Sequence, residues 1–177
     1  MIFADIHIHL LYDTDDGAKD EKAMQDMLEA AYADGTRVIC ATPHFAPGIF
    51  GDNREKVNIA YNKLRQYAEK YDDLFLCLGN ELRYSSNCLR CIDGGDCRTI
   101  NGSRYLLVGF EMDAPSEFII NGVKKLLNAG YIPILAHAER YSRLSRSMKE
   151  IRYLRDCGAL IQIDAQSPSG IYGHGAK

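Results

Sequence analysis

Residues 2–10 read Ile-Phe-Ala-Asp-Ile-His-Ile-His-Leu, with polar and apolar residues alternating from Asp5 onward. A side-chain period of two predicts a β-strand with Asp5, His7 and His9 on one face and Ile6, Ile8 and Leu10 on the other. The period then changes. Between Asp20 and Asp34, Met24, Met27, Leu28, Ala31 and Tyr32 recur on one helical face, and Gly35 supplies a stop. Thr36 to Thr42 is an apolar second strand closed by Pro43-His44, and residues 45–53 form a loop containing Gly and Pro. Arg54 to Tyr71 is a second helix, with Val57, Tyr61, Leu64, Ala68 and Tyr71 in step. A third strand spans Leu74 to Leu78, and a fourth, Tyr105 to Phe110, follows a cysteine-containing loop. Helix Glu117 to Ala129 is stopped by Gly130 and followed by a fifth strand, Ile132 to Ala136. Ser147 and Glu150 have capping-box spacing at the start of a fourth helix, Gly158 ends it, and Ala159 to Ile163 is a sixth strand. Strands alternating with amphipathic helices predict an α/β fold of βα units around about six parallel strands.

Composition narrows the class. A chain of 177 residues, 46% hydrophobic, can bury one sizeable core and reads as a single domain, residues 1–177. A formal charge of -3 gives no electrostatic case for nucleic acid or an anionic membrane. No apolar run is long enough for a transmembrane segment, and no basic region precedes an apolar stretch at the N-terminus, so the expected location is cytoplasmic. Cys40, Cys77 and Cys157 lie within or beside apolar patterns and read as buried thiols. Cys88, Cys91 and Cys97 share a polar segment; a C-x-x-C with a third Cys could hold zinc, but no fourth ligand is nearby, and a reduced loop is the expected state.

In βα folds, functional groups collect at the carboxyl ends of the strands. Here His7 and His9 end the first strand, His44 follows the second, Glu81 the third, Glu111 the fourth, and His137 with Arg140 the fifth. Four of the five histidines fall at strand ends; His174, in the tail, reads as a solvated loop residue. Imidazole and carboxylate donors without thiolates suit manganese, iron or zinc, and closely spaced ions need a bridging carboxylate. Glu81, two residues after Gly79, reads as that bridge or as an exposed loop acid. Asp16 reads as a ligand or as the cap of the first helix. Arg140 reads as a phosphoryl clamp, because guanidinium presents a fork of donors and keeps its charge, or as a surface cation.

Five ordered segments, Asp5-Ile6-His7-Ile8-His9, Asp15-Asp16-Gly17, Thr42-Pro43-His44, Gly79-Asn80-Glu81 and His137-Ala138-Glu139-Arg140-Tyr141, together resemble the PHP (polymerase and histidinol phosphatase) superfamily. Within it they resemble the bacterial metal-dependent protein-tyrosine phosphatases of capsule and exopolysaccharide systems. The resemblance implies a distorted, TIM-like (β/α)7 barrel and two or three divalent ions, usually manganese. It implies a first ion on His7, His9 and Glu81, a second on Glu81 and His137, a third on His44 with Asp16, and Arg140 on the phosphate. Its substrate would be phosphotyrosine on a bacterial tyrosine kinase, hydrolysed in line by a water that the metals acidify. A histidinol-phosphate type activity, and a relative that binds metal or partner without turnover, are the alternatives. The family's Glu on the fourth strand aligns with Gly109; Glu111 lies two residues on, about 6–7 Å further along the same face. A later Asp-x-His of the family lies beyond Lys177. Its absence implies an incomplete barrel, an unpaired first strand prone to self-association, fewer metal ligands and weak turnover.

Overall fold

The structure, a computed structural model, describes residues 2–50 and 53–167. The chain divides into two compact units, Met1–Leu82 with Cys91–Ser103, and Arg83–Arg90 with Arg104–Lys177. The tail residue His174 lies outside the described residues.

In the first unit, β1 (Phe3–Ile8) pairs in parallel with β2 (Thr36–Ala41), and β2 with β4 (Phe75–Leu78). Two helices, α1 (Glu21–Ala33) and α2 (Arg54–Ala68), supply the apolar cover. Leu10, Leu11, Met24, Leu28, Ile39, Val57 and Leu64 are fully buried in one cluster; Met24, Leu28, Val57 and Leu64 lie on the expected helical faces. Asp20 caps α1, its side chain accepting the Ala23 N–H at 2.8 Å. That excludes the capping alternative for Asp16 and leaves its carboxylate available elsewhere. The β1–β2 register is irregular between Asp5 and Ile8, the stretch that carries His7.

Two short strands are not visible in the sequence pattern. β3 (His44–Phe45) pairs in parallel with β5 (Glu81–Arg83), with His44 directly opposite Glu81. Runs of two and three residues are too short to show a period. Asn80, which is buried, fixes the approach to β5. Its Nδ2 donates to the Pro43 carbonyl at 3.0 Å, and its Oδ1 accepts the Arg98 N–H at 2.9 Å. Gly79 is needed for space: a Cβ there would lie 2.9 Å from Ile100 Cδ1 and 3.3 Å from its Cα.

In the second unit, β6 (Tyr105–Gly109), β7 (Ile132–Leu135) and β8 (Leu160–Ile161) form parallel pairs in that order. Helix α4 (Ser116–Asn128) buries Ile119, Val123 and Leu126; the sequence pattern predicts Ile120, Val123 and Leu127, so the buried face is turned by about one residue, with Ile120 and Leu127 half-buried at its edge. Helix α5 (Met148–Asp156) starts as expected, with Ser147 Oγ accepting the Glu150 N–H.

Three expectations are corrected. The cysteine segment contains a helix, α3 (Cys88–Asp93), with Cys88 and Ile92 buried at i, i+4 spacing that its polar neighbours mask. Cys157 is exposed because it occupies the cap after α5. Strand β6 ends at Gly109, so the two-residue alternation does not extend to Glu111, which is exposed and ion-paired with Arg83. All six cysteines are free thiols, so no disulfide contributes.

Replacing Asn80 by Ala strands the Arg98 N–H and takes one of two bonds from the Pro43 carbonyl, which still accepts the Glu81 N–H at 3.1 Å. Urea denaturation should show a loss of roughly 1–3 kcal/mol, the cost of one buried donor left unsatisfied; a loss under about 0.5 kcal/mol would deny Asn80 this role.

Candidate metal centre

Alternation along β1 sends His7 and His9 to one face, and their Nε2 atoms lie 3.2 Å apart. Glu81 Oε2 stands 3.3 Å from His7 Nε2 and 3.2 Å from His9 Nε2. Divalent transition ions hold nitrogen and oxygen ligands at about 2.0–2.2 Å. Neighbouring donors are then about 3.0 Å apart at right angles and about 3.4 Å apart at the tetrahedral angle. The triangle of His7, His9 and Glu81 has edges within that range, so these three side chains fit a metal ion. Glu81 is only 2% exposed, which removes the loop-acid alternative.

His44 joins through the β3–β5 register: its Nδ1 is 3.0 Å from the same Glu81 Oε2, and its Nε2 is 3.5 Å from Asp16 Oδ1. His9, Asp16 and His44 form a second group able to hold a metal ion. It is the more open of the two, since the Asp16 side chain is 68% exposed. One carboxylate oxygen therefore faces three imidazoles, the arrangement expected of a bridging ligand.

Asp15 is the residue whose role sequence reasoning misses. Its side chain is fully buried and its Oδ2 lies 2.9 Å from His9 Nδ1. The same oxygen accepts the His44 backbone N–H at 2.7 Å, and Oδ1 accepts the Gly17 N–H at 3.0 Å. A carboxylate on one imidazole nitrogen fixes the tautomer and aims the other nitrogen at a metal. Two aspartates and a glycine in a row do not say which acid turns inward. Gly17 is fixed by space: a Cβ there would fall 1.9 Å from the His9 carbonyl oxygen.

The charges sort the histidines. Burial lowers the His9 pKa, but bonds to Asp15 and Glu81 and the charge of both carboxylates override it and push the group up to about 10. Asp15 is raised by burial and more than compensated by the His9 bond and charge, so it stays below the ordinary carboxylate range. Burial holds His44 below the ordinary imidazole value, with the nearby His9 adding to the effect against Glu81 and Asp16. In the metal-free protein at neutral pH His9 is thus a cation and His44 is neutral.

In the second unit, His137 has a left-handed backbone (φ 36, ψ 52) and begins a tight turn over Ala138–Arg140. Its backbone N–H donates to Gln162 Oε1 at 2.8 Å. Arg140 is partly exposed, with Nη1 3.6 Å from Asp164 Oδ2. Among the described residues, neither metal-holding group includes Glu111 or His137.

Fold and site together define an α/β protein with an imidazole–carboxylate centre, able to hold a metal ion, at the ends of parallel strands. The sequence profile described as capsular polysaccharide synthesis, CpsB/CapC, matches residues 3–177, and the chain belongs to that family. It is 34% identical over 162 residues to the tyrosine-protein phosphatase CpsB of Streptococcus pneumoniae, covering 91% of this chain and 67% of that protein. It is 31% identical over 174 residues to the tyrosine-protein phosphatase YwqE of Bacillus subtilis, covering 98% and 68%. A crystal structure from work on YwqE and CpsB, described there as metal-dependent tyrosine phosphatases, superposes with a TM-score of 0.87 at 31% identity; the match covers 100% of this chain and 71% of that one.

The raised pKa of His9 has a defined sign. Below about 10 the ring carries a proton that a metal must expel, so affinity falls as pH falls. Manganese binding to the metal-free chain should release close to one proton per ion, and affinity should climb about tenfold per pH unit between about pH 7 and pH 9. Calorimetry in buffers of different ionisation enthalpy reads both; a pH-independent affinity would contradict the assignment. Asp15→Asn removes the negative charge facing Nδ1 and sets an amide NH2 against either the Gly17 or the His44 N–H, so the carboxylate grip that fixes the His9 ring is lost. Manganese affinity should then drop about 10–100-fold with little change in circular dichroism.

Proposed function

We propose that the chain is a manganese-dependent protein-tyrosine phosphatase of capsular polysaccharide synthesis, acting on a tyrosine-phosphorylated protein such as a bacterial tyrosine kinase. The observation that carries this reading is the single buried Glu81 oxygen within 3.0–3.3 Å of nitrogens from His7, His9 and His44. Relatives named tyrosine-protein phosphatases that match 91–98% of the chain support it. A donor set of imidazoles and carboxylates without thiolate is compatible with manganese, and also with iron or zinc. A cytoplasmic setting belongs to the proposal. Six free thiols are consistent with it, and no helix among the described residues is long and apolar enough to cross a membrane.

His7, His9 and Glu81 would hold one ion, His44 and Asp16 would contribute to a further one, and His137 is proposed as an additional ligand. Glu111, paired with Arg83, is left out of this assignment. The bound ions would supply Lewis acidity toward the phosphoryl oxygens and acidify the attacking water. The protein's own contribution is positional and electrostatic. Asp15 holds His9 in one tautomer, Glu81 keeps three imidazoles converged, and the Arg140 guanidinium binds the phosphoryl oxygens as negative charge shifts during transfer.

The metal-free chain should release phosphate from a phosphotyrosine peptide only after manganese is added, and faster than from histidinol phosphate. Equal or preferential turnover of histidinol phosphate would overturn the substrate class. Arg140→Lys should lower kcat/KM about 10–100-fold, because an ammonium cannot rebuild a two-pronged contact, while manganese content stays the same. Unaltered turnover would return Arg140 to an ordinary surface cation.

A further inference from the structure

The turn that carries His137 and Arg140 contains a strained residue held by a partner 25 positions away. A left-handed backbone at a residue with a Cβ costs on the order of 1–3 kcal/mol and persists only where surrounding bonds enforce it. At His137 and the residue after it, Gln162 supplies two such bonds. Gln162 Oε1 accepts the His137 N–H at 2.8 Å, and the Gln162 carbonyl accepts the Ala138 N–H at 2.9 Å. Gln162 is itself fixed by the ladder, its N–H donating to the Leu135 carbonyl at 3.0 Å, one residue past the β7–β8 pair Leu135 and Ile161.

The other end of the same side chain reaches Arg140 through Asp164. Gln162 Nε2 donates to Asp164 Oδ1 at 3.2 Å, and Asp164 Oδ2 lies 3.6 Å from Arg140 Nη1. Asp164 is held in turn, its backbone N–H donating to Glu139 Oε1 at 3.0 Å, while Ser167 Oγ donates to the same oxygen. The far end of the turn is anchored separately: fully buried Tyr141 accepts the Phe110 N–H on its hydroxyl at 3.1 Å. With both ends pinned, the side chains between them have few orientations left.

We propose that Gln162 is a positioning residue that sets the His137 ring through its amide oxygen and the Arg140 guanidinium through its amide nitrogen and Asp164. This rests on the phosphatase reading for what His137 and Arg140 do, but not for how they are held. A glutamine gives both effects because one planar group carries an acceptor and a donor. Outer hydrogen-bond partners of ligating groups are worth about 10–100-fold in metal affinity or activity.

Two variants of the full chain separate the two ends. Gln162→Leu keeps the size and loses both bonds. Gln162→Glu keeps an acceptor for the His137 N–H but loses the donor to Asp164. Three quantities are measured: manganese affinity by calorimetry, steady-state kinetics on a phosphotyrosine peptide with inorganic phosphate as inhibitor, and thermal unfolding. Gln162→Leu should lower manganese affinity and kcat each about 10–100-fold, beyond any change in folded fraction. Gln162→Glu should hold manganese affinity within about threefold and restore part of kcat, while KM and the phosphate inhibition constant rise about tenfold as Arg140 loses its orientation. Parent-like manganese affinity and kcat in Gln162→Leu, or losses in both variants that only track unfolding, would overturn the proposal. A parent chain that binds manganese but releases no phosphate from the peptide would overturn the phosphatase reading instead, and the manganese comparison would still decide on Gln162.

Discussion

A carboxylate withdrawn from water is tolerated only where cations or hydrogen-bond donors replace its hydration, and the first unit is arranged around meeting that requirement at Glu81. Three imidazole nitrogens surround one of its oxygens at 3.0–3.3 Å. Each nitrogen arrives by a different structural route. His7 and His9 come from the two-residue alternation of β1, and His44 comes from its register opposite Glu81. Asn80, Gly79 and Arg98 fix the backbone from which Glu81 projects. Displacing any of these segments would leave a buried charge without its partners. That penalty ties the precision of the site to the stability of the unit.

The same electrostatics explains why three chemically equivalent side chains are not equivalent in place. His9 lies between Asp15 and Glu81 and is held as a cation in the absence of metal; His44, 4.5 Å away ring to ring, is held neutral by burial and by His9. The protonated His9 supplies positive charge at a donor set whose spacing fits a metal cation. Exchange of that proton for a metal would keep positive charge beside Glu81 and would leave Asp15 free to hold Nδ1.

The second unit applies the same economy to a turn. His137 adopts a backbone conformation that it would not choose in isolation, and neighbouring strand β8 supplies the bonds that hold it through the residue just beyond its end. Orientation in both units is delegated to residues that carry no chemistry of their own: Asp15 and Asn80 in the first, Gln162 and Asp164 in the second. These outer partners are hard to recognise from sequence because Asp, Asn and Gln are ordinary loop residues whose function resides in the atom that they face.

The amino-acid sequence by itself determined the alternation of strands and helices, the periodic faces that became the buried cluster from Leu10 to Leu64, and the delivery of His and Glu residues to strand ends. Those features are local: a period of two or near 3.6 is a statement about which side of one segment is apolar, and it needs no knowledge of any other segment. Tertiary structure alone decided that Asp15 rather than Asp16 turns inward, that Glu81 is buried, and that Gly79 and Gly17 are glycine for lack of space. It also decided that Glu111 pairs with Arg83 beyond the end of β6, and that Gln162 spans His137 and Asp164. Each of these depends on atoms from segments far apart in the chain arriving within about 3 Å of one another, and hydrogen bonds and metal spacing are settled at that scale. A one-dimensional pattern can bring a histidine to the end of a strand; which of its nitrogens carries the proton is settled only by what folds against it.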